Sequence, residues 1–184
     1  MISAKDVARY LIFAYEEQTG TQFERSELKL QKLLYLSQRE SFCLTGKKLF
    51  KEDFEGWVHG PVITELRFFF DEGYAALKSL DDSKLNVNEM YIVNNVIAKY
   101  GMYEAWYLRD LTHEEISWKN SRIGLSGKNH GCKKLKLEDI EEDAKKIRAY
   151  DNIFDMYIDE FEDLTPEEKE YVNEQGKENL YSHF

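Results

Sequence analysis

The stretch from Leu28 to Phe70 constrains the fold more than any other part of this chain. It opens with Leu28-Lys29-Leu30-Gln31-Lys32-Leu33-Leu34-Tyr35-Leu36-Ser37-Gln38, continues through a turn region, and reaches the box Phe54-Glu55-Gly56-Trp57-Val58-His59-Gly60-Pro61-Val62. The first segment has the apolar period of an amphipathic helix. The box carries Pro61, one of two prolines in the chain, directly behind a glycine and close to a tryptophan. Such a pairing of helix and box reads as the buried hinge of a compact domain.

Punctuation divides the rest into helices. Ser3 and Asp6 suit the start of a first helix, with Val7, Tyr10, Leu11 and Ala14 on its apolar face and Gly20 as its stop. Ser26 suits the N-cap of the second, whose stripe is Leu30, Leu33, Leu34, Ser37, Ser41 and Leu44, with Lys29, Lys32 and Arg39 off that stripe and Gly46 at its end. From Lys47 to Trp57 the period is lost, and a loop or short strand is expected; Pro61 then opens a third helix running to about Asp71. Asn86 and Glu89 form a capping pair ahead of a helix closed by Gly101, and a short helix covers Ala105 to Leu111. Thr112 and Glu115 have capping-box spacing for a helix carrying Ile116 and Trp118.

Residues 124–136 hold three glycines and four lysines and read as an exposed loop or hairpin. Ile140, Ala144, Ile147, Phe154, Ile158 and Phe161 continue one face, which predicts a single long helix. Thr165, Pro166 and Glu168 start a last helix reaching about Glu174. About six or seven helices with short connections make a mainly α, compact multi-helix domain with at most a small β-ribbon, followed by a C-terminal helical extension.

Composition restricts the function classes. The chain has 184 residues, 42% hydrophobic and 14% aromatic, which is enough apolar material for a real core and too much for a disordered chain. Its formal net charge of -10 repels phosphate, which argues against nucleic acid and for a protein partner. The lysine loop, Lys128, Lys133, Lys134 and Lys136, is the exception and reads as a solvated loop. Cys43 and Cys132 are the two cysteines, far apart and without metal-knuckle spacing, so a reducing cytoplasm is expected. No apolar run approaches the length of a membrane-spanning helix, and no signal peptide is evident.

Catalytic patterns are weak. His59 with Glu55, or His113 with Glu114 and Glu115, allows a general acid/base pair to be drawn. No nucleophile motif, metal-binding helix or phosphate-binding glycine pattern accompanies them, so no catalytic residue, metal or cofactor is assigned. A histidine beside a tryptophan at a turn is more often a structural residue. Phe154, Met156, Tyr157, Ile158 and Phe161 surround their predicted helix more fully than one stripe requires and suit a partner contact.

Three blocks in order resemble the Panacea domain, or SocA-like, antitoxin family found in phage and bacterial genomes. They are Leu30-Gln31-Lys32-Leu33-Leu34-Tyr35; Leu49-Phe50 and Phe54 leading to Trp57-Val58-His59-Gly60-Pro61-Val62; and Leu111-Thr112-His113-Glu114-Glu115 with Trp118. The likeness spans about residues 3 to 150, which implies a helical domain over 1–150 and an extension over 151–184. His59 stands where the family often has tyrosine, Gly56 where alanine is common, and Thr64 and Arg67 where a proline and a tyrosine are expected.

The resemblance implies a non-enzymatic antitoxin that neutralises a toxin encoded beside it by direct protein contact. One branch of the family is similar instead to a proteolytic adaptor, and a small enzyme using His59 or His113 is the rival reading. Trp57, His59, Gly60, Pro61, His113 and Trp118 form the motif core, structural or partner-orienting. Tyr157, Ile158 and Phe161 are expected toxin contacts. The acidic surface suits a toxin that handles RNA or nucleotides.

Overall fold

Local caps set the helix ends as the chain is read from its start. The computed structural model describes residues 1–182, with side chains through residue 177. Ser3 accepts the Asp6 amide at the start of helix α1 (Ala4–Thr19), Ser26 accepts the Lys29 amide at the start of α2 (Glu27–Thr45), and Gly20 and Gly46 end them in the left-handed conformation. Strands β1 (Glu55–Trp57) and β2 (Gly60–Val62) form a tight antiparallel hairpin with Trp57 opposite Gly60. Helix α3 (Val87–Tyr100) starts on the full Asn86–Glu89 capping box. It is followed by α4 (Ala105–His113), α5 (Ile116–Ser121) and α6 (Leu137–Ala144).

These elements belong to one compact unit, Met1–Lys146, organised around α2, which packs against α1, α3, α4, α6 and β2. Every residue of α2 from Lys29 to Phe42 is buried. The amphipathic reading of this helix is therefore corrected: Lys29, Lys32 and Arg39 lie inside. Burying a polar side chain there is costly unless it finds hydrogen-bonding partners. Gln31 donates to the Ile63 carbonyl (3.1 Å) and accepts its amide (2.8 Å), while Gln38 accepts the Leu49 amide at 3.2 Å. Arg39 is held by the Glu115 carboxylate and donates to the Tyr100 hydroxyl at 2.9 Å.

Two further sequence expectations fail in this unit. Pro61 does not open a helix; it lies in β2, and only a 3-10 turn, Thr64–Leu66, follows. Gln31 fixes Ile63 in extended geometry from across the core, which overrides the local signal. Thr112 does not cap α5 either, because α4 runs through it and its hydroxyl donates back to the Arg109 carbonyl at 2.9 Å. The α5 amides of Ile116 and Ser117 are taken instead by the buried Asp143 carboxylate of α6, at 2.7 and 3.0 Å. A distant side chain replaces the local cap.

The basic loop is pinned along β1. Gly56 donates to the Lys133 carbonyl, Val58 to that of His130, and Leu135 to that of Phe54, each at 2.8 to 2.9 Å. Arg122 ties the turn down through the carbonyls of Gly56 (3.1 Å) and His130 (3.0 Å). A Cβ on Gly56 would stand 1.8 Å from Ser121 Oγ, so glycine is required at this position.

The second unit, Ile147–Phe184, contains strands β3 (Tyr150–Asp151) and β4 (Met156–Tyr157) and helices α7 (Ile158–Glu162) and α8 (Pro166–Ser182). The single long helix expected through Phe161 is thus replaced by a hairpin. Asp151 Oδ1 accepts the amides of Ile153 and Phe154 at 2.8 and 3.1 Å, and Asp155 sits at φ 54°, so the turn competes successfully with helix. The Thr165–Glu168 box starts α8 as expected, and the helix runs past Glu174 to Ser182. Among the described residues there are eight helices and two two-stranded sheets, and no helix is long and apolar enough to cross a membrane.

Candidate functional site

The hairpin turn at Val58-His59 is built on Lys32. Fully buried in α2, Lys32 donates its Nζ to the Pro61 carbonyl at 2.6 Å. Gly60 adopts φ +99°, and a Cβ there would lie 2.9 Å from both Lys32 Nζ and Thr112 Oγ1, so the strand passes directly over the lysine. Burial, reinforced by the nearby Arg109, pushes the Lys32 ammonium down to about 7.

The tryptophans surround this point. Trp118 Nε1 donates to the Trp57 carbonyl at 2.8 Å, and the Trp57 indole donates to Glu55 at 2.9 Å under the Arg67 guanidinium. His113 stacks flat on Trp118, centroids 3.6 Å apart and planes at 14°. Its buried Nε2 makes no hydrogen bond. Burial first, then Arg109 and Lys32, lower His113 to about 4. Exposed at the turn tip, His59 meets Trp106 edge-on at 5.5 Å. Trp57 and Trp118 are thus joined directly, with His113 on the same stack, while Gly60 and Pro61 meet at Lys32 and His59 faces a different tryptophan.

The carboxylates that could have served the histidines are engaged elsewhere. Glu55 accepts from Trp57, Glu114 pairs with Lys119 at 2.7 Å, and Glu115 pairs with Arg39. Burial holds the Glu115 carboxyl up at about 7 against the pull of Arg39, with Asp143 adding to the rise. Tyr35 completes the link between the motif blocks: its hydroxyl donates to Asp143 Oδ2 at 3.0 Å and lies 2.8 Å from Ser117 Oγ. Among the described residues no group of three or more His, Cys, Asp or Glu side chains could hold a metal ion.

In the second unit, Tyr157 packs edge-on to Tyr150 at 5.6 Å beneath Arg148, and Phe161 sits 6.2 Å from Phe154. Ile158 is exposed. Sequence reasoning passed over two features. Lys32 is the hub of the hairpin; its only signal was a lysine set among leucines. The second is a run of exposed apolar side chains on the outer face of α4 and the turn before it, Met102, Tyr103, Trp106 and Tyr107, whose signal was aromatic residues on both faces of a short helix.

Residues 30–119 match the family model described as Antitoxin SocA-like, Panacea domain. No curated protein and no solved structure matches the chain.

Proposed function

We propose that this chain, whose residues 30–119 match the model of the SocA-like Panacea antitoxin domain, neutralises a cognate toxin by binding it directly. The domain match carries the reading. The geometry supports masking over chemistry, because Glu55, Glu114 and Glu115 are each bonded to a partner other than His59 or His113. Residues whose side chains hold one another in place build a scaffold, and a scaffold acts through its surface.

The net charge of -10 complements a toxin with a basic, RNA- or nucleotide-handling surface and would speed their encounter. Ile158, with Tyr157 and Phe161 beside it in the second unit, is proposed as one part of the contact.

Co-expression with the product of the adjacent reading frame tests this. The expected result is rescue of growth, co-purification of the two proteins, and unchanged toxin abundance. Falling toxin abundance would favour delivery to a protease, and toxicity that persists with no complex formed would overturn the proposal.

A further inference from the structure

The hydrophobic core ends at Ala144. In the intact chain Gly176 alone is buried among the described residues from Ile147 to Lys177. Segments below about 40 residues seldom fold without a disulfide, a metal or a partner surface, and the second unit, Ile147–Phe184, is of that size. It contains no cysteine, and its described residues include no group that could hold a metal.

The ties inside this unit are thin. Its hairpin has two residues in each strand. Arg148 bridges Asp159 and Glu160 at 2.9 Å, but these side chains are about half exposed, and pairs in water add little stability. On α8, Lys169 lies 5.7 Å over the Phe161 ring, and a Cβ on Gly176 would stand 2.0 Å from Phe154 Cε1, so that face packs within the unit. Glu167, Glu170, Tyr171 and Glu174, three and four residues apart, share the exposed face. Charge opposes closure. Residues 147–184 contain eleven carboxylates against Arg148, Lys169 and Lys177, a net of -8, which leaves -2 for residues 1–146. Among the described residues, the exposed Glu162, Asp163, Glu167, Glu170 and Glu174 form no ion pair.

Resting on the antitoxin reading, we propose that residues 147–177 fold conditionally: carboxylate repulsion opens them in the free protein while the first unit stays folded, and a lysine- or arginine-rich face of the toxin closes them. The missing core makes the unit dependent on another surface, and the segregated charge selects which one. A second copy would bring -8 against -8, and nucleic acid would meet the same repulsion. A basic protein face neutralises the carboxylates and covers Ile158 and Tyr171, which are 42% and 64% exposed.

Hydrogen exchange on the intact chain, alone and with the purified product of the adjacent reading frame, tests this. In the free protein the α8 amides should exchange about 100-fold faster than those of α2, whose opening disrupts the core. Raising salt from about 20 to about 300 mM should slow α8 exchange by screening the repulsion. Binding should slow it about tenfold or more. Asp163→Lys/Glu174→Lys, at two exposed and unpaired sites, separates repulsion from contact: α8 exchange in the free protein should slow about threefold, while affinity at low salt should fall about tenfold.

α8 amides as slow as those of α2 in the free protein would overturn conditional folding and leave the antitoxin reading intact. A complex that forms with α8 exchange unchanged would do the same. Wild-type affinity in Asp163→Lys/Glu174→Lys would overturn the basic face as the closing surface. Failure of the wild type itself to bind would remove the antitoxin reading and, with it, the toxin as the agent of closure.

Discussion

Lys32 Nζ lies 2.6 Å from the carbonyl oxygen of Pro61, so one buried lysine joins the central helix to the hairpin that carries the Trp-Val-His-Gly-Pro-Val box. Its charge is disfavoured by burial and by Arg109, which lowers its proton affinity to about 7 from the 10.5 of a solvated lysine. The unfolded chain therefore binds more protons than the folded one between these values, and stability from this group is full above pH 10.5 and lost as pH falls toward 7. In urea titrations the wild type should gain stability relative to Lys32→Met as pH is raised through that window. Parallel curves for the two proteins would refute the assignment.

His113 gives a second, separate window. Its folded value of about 4 lies below the ordinary 6.5, so its contribution is present above pH 6.5 and is lost as pH falls toward 4. His113→Phe keeps a flat ring on Trp118 and removes the titration. Denaturation midpoints for this variant should decline less than those of the wild type on acidification; an NMR titration placing His113 near 6.5 would contradict the prediction.

Two glycines in the hairpin leave no room for a methyl group. Gly60→Ala forces a side chain into φ +99° and against Lys32 and Thr112, and should cost about 2–5 kcal/mol. At Gly56 a Cβ would meet Ser121 Oγ at 1.8 Å and Ser121 Cβ at 2.6 Å. Gly56→Ala should therefore be destabilising by about 1–3 kcal/mol. Ser121→Gly should partly rescue it, and a double-mutant cycle in which the two effects simply add would show that the clash is relieved in another way.

Asp143 holds three donors at once, the amides of Ile116 and Ser117 and the hydroxyl of Tyr35. Asp143→Ala should cost about 3 kcal/mol or more, because buried donors are left unmet. Asp143→Asn, which keeps one acceptor, should cost less. Faster amide exchange at Ile116 and Ser117 should accompany the loss; unchanged exchange at both would exclude the capping role.

The starts and ends of several helices are written in residues three or four positions apart. Ser3, Ser26, the Asn86–Glu89 pair and the Thr165–Glu168 pair act on amides within their own first turn, and Gly20 and Gly46 act through their own backbone angles. No tertiary information is needed to place them. The mainly α class followed, and the family likeness added the order of the motif blocks.

What the tertiary structure alone decided concerns side chains whose partners lie far along the chain. Gln31 meets Ile63, Lys32 meets Pro61, and Tyr35 meets Asp143, at separations of 32, 29 and 108 residues. Period and propensity treat such residues as the solvent side of an amphipathic helix, because they register polarity and cannot register a partner. The same distance effect made a strand at Pro61, moved the α5 cap from Thr112 to Asp143, and left Trp106 outside while Lys32 went in. Helix caps depend on neighbours in sequence; which polar groups are buried depends on whether folding brings them a hydrogen-bonding partner.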